Sequence, residues 1–200
     1  MTPPSLRLWL IRHGQTAWSL SRRHTGTTDL SLTPTGETEA RALAPWLTAA
    51  PFTKVLTSPR QRARRTCDLA GLGDQAEIEP DLAEWDYGQV EGVTSAEIRV
   101  TRPGWNVFAD GAPGGETPAD VEARADRLIG RLTALTGNIA LFSHGQFSSA
   151  LAARWIGLPI ADGRRFALTT ASLSLLSISP DQADTRVISL WNAVPGGPGR

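Results

Sequence analysis

Two short apolar runs in this chain end alike, and that repetition constrains the fold more than any other feature. Residues 6–11 (LRLWLI) run into Arg12-His13-Gly14, and residues 138–142 (NIALF) run into Ser143-His144-Gly145. Each has the length and composition of a buried strand, followed by a glycine that lets the backbone turn sharply. Between them lie helix signals and a further strand. Thr33-Pro34 supplies an N-cap and a first-turn proline for a helix over residues 37–47, which Pro45 should kink or shorten. Residues 52–57 form the second strand. Ser58-Pro59 repeats the cap-plus-proline signal and predicts a helix from there to Gly71. Thr94 and Glu97 form a capping box. Thr117-Pro118 opens a helix with Val121, Ala125, Leu128 and Leu132 at helical spacing, ending near Gly137. Residues 147–156 form another helix, closed by Gly157.

Strands alternating with helices predict an α/β fold, a sandwich of helices on both faces of a mostly parallel central sheet. Two last strands, residues 173–178 and 186–191, sit too close for a helical crossover and predict an antiparallel hairpin through residues 180–184. The chain reads as one domain over residues 1–200, with a lid-like insertion around residues 94–118. The 101–117 stretch there carries four Gly and two Pro beside Trp105 and Phe108. Loops of that length inside a domain are commonly functional.

Composition excludes more than it selects. Twenty basic residues balance twenty acidic ones, so no overall field favours nucleic acid or a membrane surface. The single cysteine, Cys67, excludes a disulfide framework and predicts a small buried side chain. No run approaches the ~18 apolar residues of a membrane span, and the expectation is a soluble, cytoplasmic protein. All basic residues but Lys54 are arginine, the side chain suited to bidentate contacts with phosphate.

In an open α/β sheet, ligands bind at the carboxyl edge of the strands. His13 and His144 should both stand there. A lone strand-end His-Gly is more often a structural hydrogen-bonding group, but two in one context point to a shared site. The second strand ends at the same edge, in Ser58-Pro59-Arg60-Gln61-Arg62-Ala63-Arg64-Arg65-Thr66. Arginines at a helix N-terminus attract an anion by dipole and charge, although three of these four are expected on a solvated face. With Arg12, the crevice would gather cations that have no reason to converge without a phosphate among them. Nothing in the spacing suggests a metal site. Nearby positive charge keeps His13 neutral and its lone pair available. Expulsion of an alkoxide needs a proton donor, and the stretch from Leu82 to Gly92 offers Glu84, Asp86 and Glu91. Spacing alone leaves that choice open.

These motifs together resemble the histidine phosphatase superfamily, the phosphoglycerate-mutase-like group. Arg12-His13-Gly14-Gln15-Thr16 with Trp18, then Thr25-Gly26, Asp29 and Leu32-Thr33-x-x-Gly36, are similar to its first motif and the segment after it. Ser58-Pro59-x-x-Arg62-Ala63-x-x-Thr66, Leu82-x-Glu84-x-x-Tyr87-Gly88-x-x-Glu91-Gly92 and Ser143-His144-Gly145 resemble the other three. The resemblance implies that family's sandwich fold and a phosphatase. His13 would be the nucleophile, Arg12, Arg62 and His144 would bind phosphoryl oxygens, and Glu84 would be the proton donor. It implies no cofactor and no metal. Gln15, Ser19, Thr25, Gly26, Tyr87, Gly145 and Gln146 would line the substrate, a small phosphorylated metabolite. Ser19 departs from the pattern, standing where many members carry Asn. Trp18-Ser19, His24-Thr25-Gly26, Trp85-Asp86-Tyr87-Gly88 and the 110–116 loop resemble the sedoheptulose-bisphosphatase-type sugar phosphatases. His24 is balanced between substrate contact and an ordinary loop role. A phosphoglycerate mutase is the weaker alternative, because residues 94–116 are short and carry only Arg99 and Arg102. A silent phospho-ligand sensor ranks last, since His13, Arg62, Glu84 and His144 are all present. Oligomeric state is not legible.

Overall fold

In the computed structural model, which describes residues 5–182 and 185–196, six strands form one sheet in the order β3-β2-β4-β1-β5-β6. They are β1 (Arg7–Arg12), β2 (Phe52–Thr57), β3 (Ala76–Ile78), β4 (Asn138–Ser143), β5 (Leu173–Ile178) and β6 (Arg186–Ala193). The pairs β1–β4, β2–β4 and β2–β3 are parallel. The final hairpin lies antiparallel beside β1, as the short connection between its strands requires. Residues 183–184 of that connection fall outside the described residues.

Side chains alternate across the sheet with the two-residue period of a strand. Leu8, Leu10, Leu56, Ile139 and Leu141 face one helical layer, while Ile11, Val55, Ala140 and Phe142 face the other. The first layer contains α7 (Pro118–Leu132) and α8 (Gly145–Trp155), whose buried stripe includes Val121, Ala125, Leu128, Phe147 and Leu151. The second contains α2 (Pro34–Ala42), α3 (Ala44–Leu47) and α4 (Gln61–Leu69), and it buries Leu43, Leu47 and Cys67. Burial pushes the Cys67 thiol up to about 12, which leaves it an inert core group. The three-layer architecture is the one expected.

Four details depart from the sequence reading. Strand β3 was not foreseen, being three residues long with two of them exposed. The helix over 37–47 is two pieces: α2 starts at Pro34 under the Thr33 cap, and α3 begins where Pro45 interrupts it. Helix α7 ends at Leu132, five residues before Gly137, with Thr133 as its C-cap. The helix expected from Ser58 begins only at Gln61, because Arg60 keeps an extended backbone and takes the N-cap position. Its N-terminus is served by Asp29, whose Oδ1 accepts from the Gln61 N–H at 2.8 Å.

Residues 94–118 fold onto the body of the protein. Helix α5 (Ser95–Thr101) starts at the expected Thr94–Glu97 capping box, and α6 (Val107–Asp110) is capped by Asn106. Trp105, Val107, Phe108 and Ala112 are buried, and the Trp105 indole donates to the Gly111 carbonyl at 3.1 Å. No helix among the described residues is long and apolar enough to cross a membrane.

Candidate active site

Register places the two histidines side by side. In the β1–β4 ladder Ile11 pairs with Phe142 and Arg12 with Ser143, and the His13 N–H continues the ladder to the Ser143 carbonyl at 3.0 Å. The two rings lie 5.2 Å apart, centroid to centroid. Strand β2 ends level with them, its ladder extended by the Ser58 N–H to the Phe142 carbonyl. The strand-end glycine after His13 permits a close backbone crossing, for a Cβ on Gly14 would lie 2.4 Å from the Gly36 carbonyl oxygen.

Hydrogen bonds fix which nitrogen of each imidazole carries a proton. His13 Nδ1 lies 2.7 Å from the Gly14 carbonyl, which can only accept. Nδ1 therefore carries a proton, and Nε2 is the nitrogen whose lone pair is open in the neutral ring. Burial, with the Arg62 and Arg12 charges behind it, holds His13 well below the ordinary imidazole range. His144 has the opposite tautomer. Its Nδ1 accepts from Arg62 Nε at 3.1 Å, so Nε2 carries the proton, donated to Ser58 Oγ at 2.7 Å. Burial and then Arg62 depress its basicity as well.

Arg62 is fully buried and is the structural hub of the crevice. Besides His144, it donates to the Thr28 carbonyl (2.9 Å), the Thr25 carbonyl (2.9 Å) and the Gly26 carbonyl (3.1 Å). One of its five N–H groups is left for a ligand. Arg12 differs: it donates through Nη1 to the Leu168 carbonyl, while its buried Nε has no partner. Its guanidinium lies against Gly145, where a Cβ would come within 3.4 Å of Arg12 Cζ. Of the basic cluster after β2, Arg64 and Arg65 are exposed, as expected of most of that set, whereas Arg62 and half of Arg60 are buried.

The three carboxylates that sequence could not rank separate cleanly. Glu84 is buried and accepts from the Trp85, Gln146 and Phe147 N–H groups at 3.0, 3.0 and 2.8 Å, the last two just beyond His144. Two of these are first-turn donors of α8, whose N-cap His144 gives no side-chain cap, so Glu84 caps that helix from outside. Burial raises its affinity for a proton against the pull of these N–H groups and Arg62. Glu91 instead binds the Gly26 and Thr28 N–H groups, holding the loop whose carbonyls hold Arg62. Asp86 accepts from the Gly88 N–H within its own turn.

The expected substrate-lining residues divide in the same way. Thr25 and Gly26 serve the site through their carbonyls to Arg62, and the Thr25 hydroxyl donates to the Arg23 carbonyl. Ser19 forms a reciprocal cap with Thr16 on α1 (Ala17–Leu20), which occupies its hydroxyl. The Gln15 Oε1 accepts from Thr33, leaving its amide NH2 free. Gln146 meets Glu84 through its backbone. Tyr87 is buried, its ring 4.5 Å from that of His24, and burial lifts its hydroxyl well above the usual phenol range. His24 ties the 20s loop to the insertion. Its Nε2 lies 3.0 Å from Ser95 Oγ, its ring meets Trp105 edge-on, and burial holds it at about 4.

Several supporting residues escaped the sequence reading. Ser58 looked like a cap and is the partner of His144. Thr66 Oγ1 accepts from the Gly14 N–H and donates to the Arg62 carbonyl. Arg124 donates to the Asp81, Ala83 and Glu116 oxygens, and Glu116 accepts from the Asp86 N–H, so the pair clamps the chain on both sides of Glu84. Arg124 lies on the apolar stripe of α7, and a charge on such a stripe is the signal that could have revealed it. Among the described residues no three His, Cys, Asp or Glu side chains converge to hold a metal ion.

Two imidazoles, two guanidiniums and a buried carboxyl thus gather at the carboxyl edge of the sheet, a set suited to holding a phosphoryl group. The chain belongs to the histidine phosphatase superfamily (branch 1), whose model matches residues 8–193. An acid phosphatase of Mycobacterium tuberculosis is 43% identical over 188 residues, covering 92% of this chain and 92% of that one. Sedoheptulose 1,7-bisphosphatase of Saccharomyces cerevisiae is 36% identical over 191 residues, covering 78% of this chain and 70% of the yeast protein. The solved structure of an open reading frame product of M. tuberculosis superimposes with a TM-score of 0.89 at 39% identity, over 94% of this chain and 98% of the other. These relatives agree with the sandwich fold and with the enzyme class read from the four motifs.

Proposed function

We propose that the protein is a metal-independent phosphatase of small phosphorylated metabolites, with sugar phosphates favoured, acting through a phosphohistidine on His13. The observation that carries this reading is the hydrogen bond that ties His13 Nδ1 to the Gly14 carbonyl and leaves Nε2 as the nitrogen available to attack, with burial and then the Arg62 and Arg12 charges disfavouring its protonation. In the first step Nε2 attacks phosphorus, the ester P–O bond breaks, and Glu84 gives its proton to the leaving oxygen. In the second, the Glu84 carboxylate takes a proton from water as that water attacks phosphorus, releasing inorganic phosphate and restoring His13. Arg12 and the remaining N–H of Arg62 stabilise the charge on the phosphoryl oxygens. His144 reaches those oxygens only by exchanging Ser58 for the substrate, so its resting role is to orient Arg62. Residues 94–118, which meet His24 through Ser95 and Trp105, would serve as the wall over the crevice within a single domain. The relatives' names, an acid phosphatase and a sugar bisphosphatase, support a small phosphorylated substrate.

The test is phosphate release from a panel of sugar phosphates and phosphoglycerates in the presence of EDTA, with His13→Ala beside the wild type. Turnover by the wild type under chelation, with none by the variant, is the expected result. Full activity in His13→Ala, or complete loss of wild-type turnover on chelation, would overturn the reading.

A further inference from the structure

Arg60 is a cation without an assigned task. It lies two residues beyond Ser58, and its N–H donates to the Ser58 hydroxyl (3.3 Å) that partners His144. Pro59 restricts the backbone between them, so the base of the Arg60 side chain is anchored at the crevice rim. Among the described residues its side chain makes no ion pair within 4.0 Å and donates no hydrogen bond, while its Nε is sealed from water with no acceptor. Among the described residues the only other buried side-chain nitrogen in that condition belongs to Arg12, on the crevice itself. A guanidinium N–H withdrawn from water without a partner is unfavourable, and the partly exposed remainder of the Arg60 fork is what an anion can reach.

We propose that Arg60 is a specificity residue that holds a second anionic group, a further phosphate or a carboxylate, of the substrate whose phosphoryl group meets His13. This deepens the phosphatase reading and rests on it for the place of the reacting phosphoryl group. Arg60 is assigned to the second group, not the first, by position. Its charge is felt at His144 and Arg62, whereas the charges felt at His13 are those of Arg62 and Arg12. An arginine suits the role because its planar fork pairs with either oxyacid through two parallel hydrogen bonds.

Calorimetric titration tests this without turnover. His13→Ala and His13→Ala/Arg60→Gln are each titrated with two matched pairs, fructose 1,6-bisphosphate against fructose 6-phosphate and 3-phosphoglycerate against glycerol 3-phosphate. Arg60→Gln should weaken the doubly anionic member of at least one pair about 10- to 100-fold and its singly anionic partner by no more than about twofold. Which pair responds distinguishes a second phosphate from a carboxylate. An Arg60→Lys version should recover part of the loss, and thermal melts of both variants should match the parent. Equal weakening within both pairs would place Arg60 on the reacting phosphoryl group and overturn the proposal, as would no weakening or no binding by the parent. Selective weakening in a protein that releases no phosphate would leave Arg60 in place and sink the phosphatase reading instead.

Discussion

Replacing Arg62 by lysine should unfold the protein more readily as well as slow it. The side chain is fully buried and gives four hydrogen bonds, to His144 Nδ1 and to the carbonyls of Thr25, Gly26 and Thr28. A lysine ammonium offers three donors from a single point and cannot span acceptors arranged around a planar fork. At least two of the four acceptors would lose their partner. At about 1–3 kcal/mol for each buried group left unsatisfied, the cost is roughly 2–6 kcal/mol. That is a large share of the ~5–15 kcal/mol that holds a domain folded. For a domain of this size each kcal/mol lowers Tm by about 2–4 °C, so Arg62→Lys should melt about 4–24 °C below the wild type. Thermal and urea unfolding followed by circular dichroism would measure it, with phosphate release measured in parallel. A variant that loses activity a hundredfold yet melts within about 2 °C of the wild type would refute the hub assignment, making Arg62 a phosphate ligand and little else.

Three further outcomes are expected. Glu84→Gln should lower kcat about 10²- to 10⁴-fold on a poor leaving group such as a sugar phosphate. With p-nitrophenyl phosphate the loss should be smaller, and labelled phosphohistidine should build up because hydrolysis has lost its base. Activity should peak on the acid side of neutrality. His13 must be neutral, and burial moves its pKa well below 6.5, so the acid limb falls well under that pH. Glu84 must hold its proton, and burial raises its pKa above 4.5, so activity declines as pH climbs through that raised value. A kcat/KM profile that is flat from pH 5 to 8 would contradict the Glu84 assignment, and an acid limb at or above pH 6.5 the His13 assignment. Gly26→Ala should destabilise the protein by ~1–3 kcal/mol or more and impair catalysis, because the new Cβ would lie 2.2 Å from the Trp85 carbonyl oxygen. An active variant with an unchanged melting curve would show that the Gly26–Trp85 crossing yields freely.

The fold was legible because it depends on periodicity and punctuation, which are local. Apolar runs marked β1, β2, β4 and the hairpin, and capping pairs marked the starts of α2, α5 and α7. Strand β3 escaped because three residues with an exposed face carry no pattern. Ser58 misled for an instructive reason. Ser-Pro before a helical stretch is a cap in most contexts, but here the hydroxyl meets a histidine 86 positions away along the chain. No local pattern can report a partner at that distance.

The residues themselves decide which groups gather at the carboxyl edge of the sheet. His13, His144 and the arginines after β2 come there because each follows a strand, and parallel strands bring their ends to one side. Which of those groups does what is settled by packing. Arg62 is the hub, and not Arg60, Arg64 or Arg65, because only its side chain turns inward beneath the 25–28 loop. Glu84, not Asp86 or Glu91, caps the helix that follows His144 because Arg124 and Glu116 hold its backbone at the mouth of α8. The proton positions on His13 and His144 follow from neighbours one and 82 residues away, and so does the availability of the Nε2 lone pair. Charge, tautomer and burial belong to the assembled site, because each depends on distances that exist only once the chain has folded.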